Sequence, residues 1–113
     1  MSQPKVLNFI FIAIGILFMG LGLPLFLGKV SPNGLYGMRT AKTMSNPEIW
    51  YAANRSTGID LMGAGAVILL TAIVVLAIGG EYDMKKVGLI NLAAVVLSIG
   101  VAVAHSFMVA GRL

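Results

Sequence analysis

Three long apolar runs constrain this chain more than any other feature. They cover residues 6–27, 59–79 and 87–110, and among them only the second contains an aspartate, glutamate, lysine or arginine, Asp60 near its start. Each run is long enough to cross a hydrocarbon core of roughly 30 Å as a helix that rises about 1.5 Å per residue. We therefore predict an all-α membrane protein with three transmembrane helices.

The composition supports this assignment and argues against several classes of function. Hydrophobic residues make up 58% of the 113 residues and charged residues only 11%, which is more apolar surface than a soluble fold could cover. There is no cysteine and one histidine, and the carboxylates are not clustered, so we expect no metal and no cofactor. The sequence motifs that carry catalytic nucleophiles are missing, which argues against an enzyme. The net charge of +4 comes from only eight basic and four acidic residues, which argues against a nucleic-acid partner. We expect neither an enzyme nor a nucleic-acid partner.

Most residues able to do specific chemistry lie in residues 28–58, which we call the motif loop. Its second half carries a helix start signal, because Ser45 and Glu48 have the spacing of a capping box. Asn46 before a proline is an alternative cap. Either cap predicts a short interfacial helix over residues 47–57, between the first and second transmembrane helices.

The motif loop also carries a pattern that extends over most of its length. The residues that form it are Asn33, Gly37, Arg39, Thr40, Ser45, Trp50, Asn54 and Arg55. This pattern resembles the SdpI family of bacterial membrane proteins, named for immunity to a sporulation-delaying peptide toxin. In that family a loop of the form Asn-x-x-x-Gly-x-Arg-Thr, then Trp, then Asn-Arg or His-Arg, joins two transmembrane helices. Ala41 stands where the family often has proline.

The resemblance implies a single SdpI-like membrane domain over residues 1–113, in a bacterial cell membrane. It implies resistance to a membrane-active peptide toxin, with signalling to a cytoplasmic protein partner through the loop. From the residues alone, two other functions stay open: an oligomeric small transporter or channel, and a protein that binds lipid headgroups through Arg39 and Arg55.

The basic residues predict an orientation in the membrane. Three crossings place the N-terminus and the segment 81–86 on one side, with three lysines, and the motif loop and C-terminus on the other, with five basic residues. Because the loops are short, the more basic side is expected to be cytoplasmic. We predict an N-terminus outside the cell and a cytoplasmic motif loop and C-terminus.

Two groups of candidate site residues follow from this topology. The motif loop group adds Glu48 to the pattern residues; its arginines either bind an anionic ligand or lock the loop internally. The second group is an intramembrane polar site of Asp60, Asn91, Ser98 and His105. His105 is either a proton-responsive group or a hydrogen-bonded packing residue.

Small and polar residues also define one face of the third crossing. Asn91, Ser98 and His105 recur every seven residues, and the row that recurs every four is Ala94, Ser98, Ala102, Ser106 and Ala110. We expect this face to turn toward protein, including a second copy in a homo-oligomer. We interpret Tyr36, Trp50 and Tyr51 as anchors at the membrane interface.

Overall fold

The computed structural model describes residues 2–78 and 83–113, which form three helices, the first two of them joined by a long loop. The helices are α1 (Gln3–Phe26), α2 (Pro47–Ile78) and α3 (Met84–Arg112), and the described residues contain no strand. Each helix is long and apolar enough to cross a membrane. The predicted all-α architecture with three membrane-length helices is therefore confirmed.

One boundary differs from the sequence-based prediction. Residues 47–57 are helical, but they continue without a break into the predicted second crossing. A separate short interfacial helix is therefore not confirmed. At about 1.5 Å per residue, the 32 residues of α2 span roughly 48 Å, well beyond a hydrocarbon core of roughly 30 Å. The polar first turns of α2 and its apolar run thus belong to one rod that is longer than a single crossing needs.

Helix α1 ends in a glycine cap that turns the chain into the motif loop. Gly28 adopts a left-handed φ of 69°. The Lys29 N–H donates to the Pro24 carbonyl (2.9 Å) and the Gly28 N–H to the Leu25 carbonyl (3.2 Å). This pair of bonds is a Schellman motif, which satisfies carbonyls that a helix end leaves free.

The contact between α1 and α2 is built on two pairs of glycines. Gly15 faces Gly65, and Gly22 faces Gly58. A Cβ placed on any of these four glycines would lie 2.5–2.8 Å from backbone atoms of the opposite helix. The seven-residue spacing in both helices keeps both pairs on one antiparallel seam, where the backbones touch directly.

Helix α3 packs against α2 and, less extensively, against α1. Near its start, the Asn91 amide donates to the Asn8 side-chain oxygen (2.8 Å) and to the Val87 carbonyl (3.0 Å). Both asparagines are buried. At its start, Asp83 caps α3 by accepting from the Lys86 N–H (2.8 Å). Part of the predicted segment 81–86, and the predicted end of the second crossing at residue 79, lie outside the described residues.

The motif loop and the C-terminal end of α3 meet at the same end of the bundle. Lys42 Nζ donates to the Gly111 carbonyl (3.0 Å), across 69 residues of sequence. The Asn8–Asn91 bond ties the helices near the opposite end. The relative placement that the three crossings predicted is thus observed, whereas which end faces the cytoplasm stays a prediction.

Candidate functional site

The first turn of the motif loop is organised by Asn33. Its side-chain oxygen accepts from the N–H groups of Leu35 (2.8 Å) and Tyr36 (2.7 Å), and its amide donates to the carbonyls of Ser31 (2.9 Å) and Tyr36 (3.0 Å). These four bonds close a tight turn around one side chain. Leu35 stands at its tip with 98% of its surface exposed.

Three motif residues then dock the loop onto α2. The Asn54 side-chain oxygen accepts from the Met38 N–H (2.5 Å), and its amide donates to the carbonyls of Met38 (3.3 Å) and Trp50 (3.0 Å). Gly37 has a φ of 115°, and a Cβ there would lie 2.7 Å from the Asn54 oxygen and 3.1 Å from the Trp50 ring. Only glycine fits both the conformation and the space.

Trp50 is completely buried in the protein, so its interpretation as an interfacial anchor is wrong. Its exposed fraction is 0%, and its indole N–H donates to the Val30 carbonyl (2.8 Å). The indole therefore fastens the start of the motif loop to α2. Tyr51, one residue on, is exposed on the outer face of α2 and remains available as an anchor. Tyr36 is half-buried in the loop, and burial raises the pKa of its phenol.

A second turn is held by two threonines three residues apart. The Thr40 N–H donates to the Thr43 hydroxyl oxygen (2.8 Å), and the Thr43 N–H donates to the Thr40 hydroxyl oxygen (3.1 Å). The Thr43 hydroxyl itself donates to the Met38 carbonyl (2.9 Å). Thr43 is fully buried, yet it was absent from the predicted site residues. The Thr-x-x-Thr spacing could have predicted this turn, since threonine side chains commonly hydrogen-bond to nearby backbone groups in turns.

The sequence left two residues open as the N-terminal cap of this helix, Ser45 and Asn46. In the structure the cap of α2 is Asn46. Its side-chain oxygen accepts from the Glu48 N–H (2.7 Å), and Pro47 is the first helical residue. The Ser45 hydroxyl instead donates to the Lys42 carbonyl (2.6 Å). The Ser45–Glu48 capping box is thus not formed, and the Glu48 side chain is exposed.

The two motif arginines are placed differently, and neither locks the loop through an acid among the described residues. The Arg55 guanidinium lies 5.1 Å from the centroid of the Phe26 ring, a cation–π contact between α2 and α1. Arg39 is exposed in the motif loop, between Met38 and Thr40. Because both neighbours are hydrogen-bonded through their backbones, the backbone position of Arg39 is fixed.

Asp60 and His105, which topology predicted to share a leaflet, are in direct contact. His105 Nδ1 lies 2.9 Å from both Asp60 carboxylate oxygens, and the Ser106 hydroxyl donates to Asp60 Oδ2 (2.9 Å). The Asp60 side chain is 14% exposed and that of His105 is 53% exposed. Ser106 bonds to the acid rather than to the imidazole, so the three residues do not form the serine–histidine–acid relay of a hydrolase.

The other two residues of the predicted intramembrane site lie elsewhere. Asn91 bonds to Asn8, and it is about 21 Å from His105 along α3 at 1.5 Å per residue. The Ser98 hydroxyl donates to the carbonyl of Val95 in its own helix (3.2 Å). The face predicted to turn inward is buried at Asn91, half-buried at Ser98 and exposed at His105. The row of small residues ending at Ala102, Ser106 and Ala110 is the part that is buried.

A cleft of about 370 Å³ lies between the motif loop, α2 and α3, with a contribution from α1. Arg39 and Asp60 supply its charged lining, and Thr57 and Ser106 its hydroxyl groups. Most of the remaining lining is apolar, including Leu25, Leu35, Leu61, Val103 and Phe107. Within the described residues no three acidic or histidine side chains are grouped as metal ligands would be. The arrangement suits an amphipathic organic ligand.

Comparison with known proteins identifies the family. A sequence profile of the SdpI/YfhL protein family matches residues 29–109, from the start of the motif loop almost to the end of α3. No curated protein and no solved structure matched the chain. The match covers the docked loop, α2 and the Asp60–His105–Ser106 cluster together. The chain therefore belongs to the SdpI/YfhL protein family, as a member with three membrane-length helices.

Proposed function

We propose that this chain protects its membrane against a membrane-active peptide, as an immunity protein of the SdpI type. The observation that carries the proposal is the docked motif loop, which holds Arg39 at a fixed position beside a mostly apolar cleft. The family match supports membership in a group named for toxin immunity. A peptide that enters the bilayer carries both apolar and polar groups, and this cleft offers partners for both.

Binding would occur at the end of the bundle where the motif loop sits. An apolar part of the peptide would pack against α2 and α3, and a polar part would reach the loop. Signalling to a cytoplasmic protein requires that the peptide bind two loop states with different affinity. The bonds from Asn54 to Met38 are the contacts that such a change of state would have to break.

The transporter or channel alternative has less support. Transport sites are usually built from ionisable or substrate-binding groups near the bilayer midplane. Asp60 and His105 lie at the loop end of the bundle, and the seam between α1 and α2 is closed by backbone contact at Gly15–Gly65 and Gly22–Gly58. Headgroup binding and homo-oligomer formation stay predictions, as does the orientation with the motif loop in the cytoplasm.

The test is survival of peptide-sensitive cells that express the wild type, Arg39→Ala or Arg112→Ala at equal membrane levels. Arg112 is an exposed arginine at the same end of the bundle that does not line the cleft, so it controls for loss of a positive charge. We expect protection by the wild type and by Arg112→Ala, and reduced protection by Arg39→Ala.

Failure of all three proteins to protect against a panel of membrane-active peptides would contradict the immunity function. Equal protection by all three would retain immunity and remove Arg39 from its mechanism. A control for folding is the amount of each protein that is extracted in a monodisperse form.

A further inference from the structure

The two charged side chains of the loop cleft, Arg39 and Asp60, differ in whether they already have bonded partners. Both carboxylate oxygens of Asp60 already accept hydrogen bonds, from His105 and Ser106. Arg39 lines the same cleft and pairs with no acid among the described residues. A guanidinium keeps its charge at all physiological pH values. The charged side chain of the cleft that is left without a bonded partner is therefore the Arg39 guanidinium, which can bind an anionic group of a ligand.

A second observation points to a polar ligand atom. Thr57 lines the cleft, and its hydroxyl is buried and has no hydrogen-bond partner in the described part of the chain. Leaving a buried hydroxyl without a partner is unfavourable, and such groups are rare. A ligand oxygen placed beside Arg39 could accept from this hydroxyl.

The volume of the cleft and its apolar lining limit the kind of molecule that can carry the anionic group. About 370 Å³ lies near the lower end of the volumes of small-molecule sites. Leu25, Leu61 and Phe107 present apolar surface on three different helices. The cleft therefore suits the end of a peptide, with one anionic group and one or two apolar side chains, better than it suits a whole phospholipid.

We propose that the cleft binds the C-terminal residue of an apolar peptide, with its carboxylate on Arg39 and its side chain among Leu25, Leu61 and Phe107. The inference rests on the proposed function and names the part of the peptide that is recognised. The planar guanidinium can donate two parallel hydrogen bonds to the two carboxylate oxygens. The Thr57 hydroxyl can donate a third. A peptide that ends in an amide keeps its shape but loses the charge.

The chain contains its own reporter for this binding, because Trp50 is its only tryptophan. The Trp50 ring packs against Gly37, which lines the cleft. A ligand that shifts the loop at Gly37 should change the emission of Trp50. The experiment titrates the purified full chain, in phosphatidylcholine nanodiscs, with acetyl-leucyl-leucine and with the corresponding amide. Neither compound contains an aromatic ring that would interfere.

We expect the free acid to bind about tenfold more tightly than the amide, as loss of one charge-assisted interaction implies. Arg39→Ala should remove the difference, whereas Arg112→Ala should keep it. Equal binding of acid and amide, or a preference that persists in Arg39→Ala, would overturn the proposal. Arg39-dependent displacement of the acid by nanodiscs that contain phosphatidylglycerol would also overturn it, in favour of a lipid phosphate.

The result separates this inference from the proposed function. A carboxylate preference in vitro, together with no protection in cells, would retain the cleft assignment and contradict immunity. Protection in cells, together with equal binding of acid and amide, would retain immunity and reject the recognition of a C-terminus.

Discussion

Replacing Gly58 by alanine tests how α1 and α2 are held together. A Cβ on Gly58 would lie 2.5 Å from the Gly22 carbonyl oxygen and 2.5 Å from the Phe26 nitrogen. Both are backbone atoms, so no side chain can rotate away. To reach an ordinary contact of 3.4 Å, the two helices would have to separate by about 0.9 Å.

Gly63→Ala is the matched control, because Gly63 is in the same helix and a Cβ there meets nothing within 4 Å. Alanine favours the helix over glycine by about 1 kcal/mol at either position, so this gain cancels in the comparison. Overpacking typically costs about 1–3 kcal/mol. We therefore expect Gly58→Ala to be less stable than Gly63→Ala by about 1–3 kcal/mol.

The assay is thermal or denaturant unfolding of both variants in the same detergent, with the wild type as reference. Gly63→Ala should unfold at or slightly above the wild-type midpoint, and Gly58→Ala clearly below it. Equal midpoints for the two variants would refute the close backbone contact at this seam.

Two further predictions concern buried asparagines. Asn54→Ala leaves the Met38 N–H without its partner and removes one of the two donors to the Met38 carbonyl, the other being the Thr43 hydroxyl. We expect amide hydrogen exchange in residues 31–45 to accelerate by about one to two powers of ten; unchanged exchange would contradict the docked loop. Leucine at Asn8 and Asn91, singly and together, should reveal a coupling free energy of about 0.6–1.7 kcal/mol in a double-mutant cycle of unfolding. Strictly additive effects would show that the bond between the two asparagines contributes nothing.

The helices could be predicted from the sequence because their signal is long and uniform. Apolar runs predicted both ends of the first and third helices within three residues, and the Asn46-Pro47 start of α2 was among the predicted alternatives for the helix in the loop. The continuity of α2 was missed because polar residues between 47 and 58 read as a separate interfacial segment. In the structure they form the part of α2 that carries the motif loop.

The packing inside the loop could not be predicted from the residue types alone. A tryptophan beside a membrane segment is usually an anchor at the lipid interface, and only the fold shows that Trp50 is enclosed by the loop instead. That Asp60 and His105 lie at the same end of the bundle followed from helix direction. Their direct contact and the bond from Ser106 depend on the rotation of α3 about its axis, which the sequence does not show. Asn91 was among the predicted intramembrane residues, but its partner Asn8 was not.

The emission of Trp50 tests the central claim, that the family motif builds a loop docked on protein rather than an anchor in lipid. Since Trp50 is the only tryptophan and is fully buried, its signal reports this contact alone. In nanodiscs we predict a blue-shifted emission that is protected both from acrylamide in water and from brominated lipids. Strong quenching by brominated lipids, or by acrylamide, in the folded wild-type chain would contradict the docked loop.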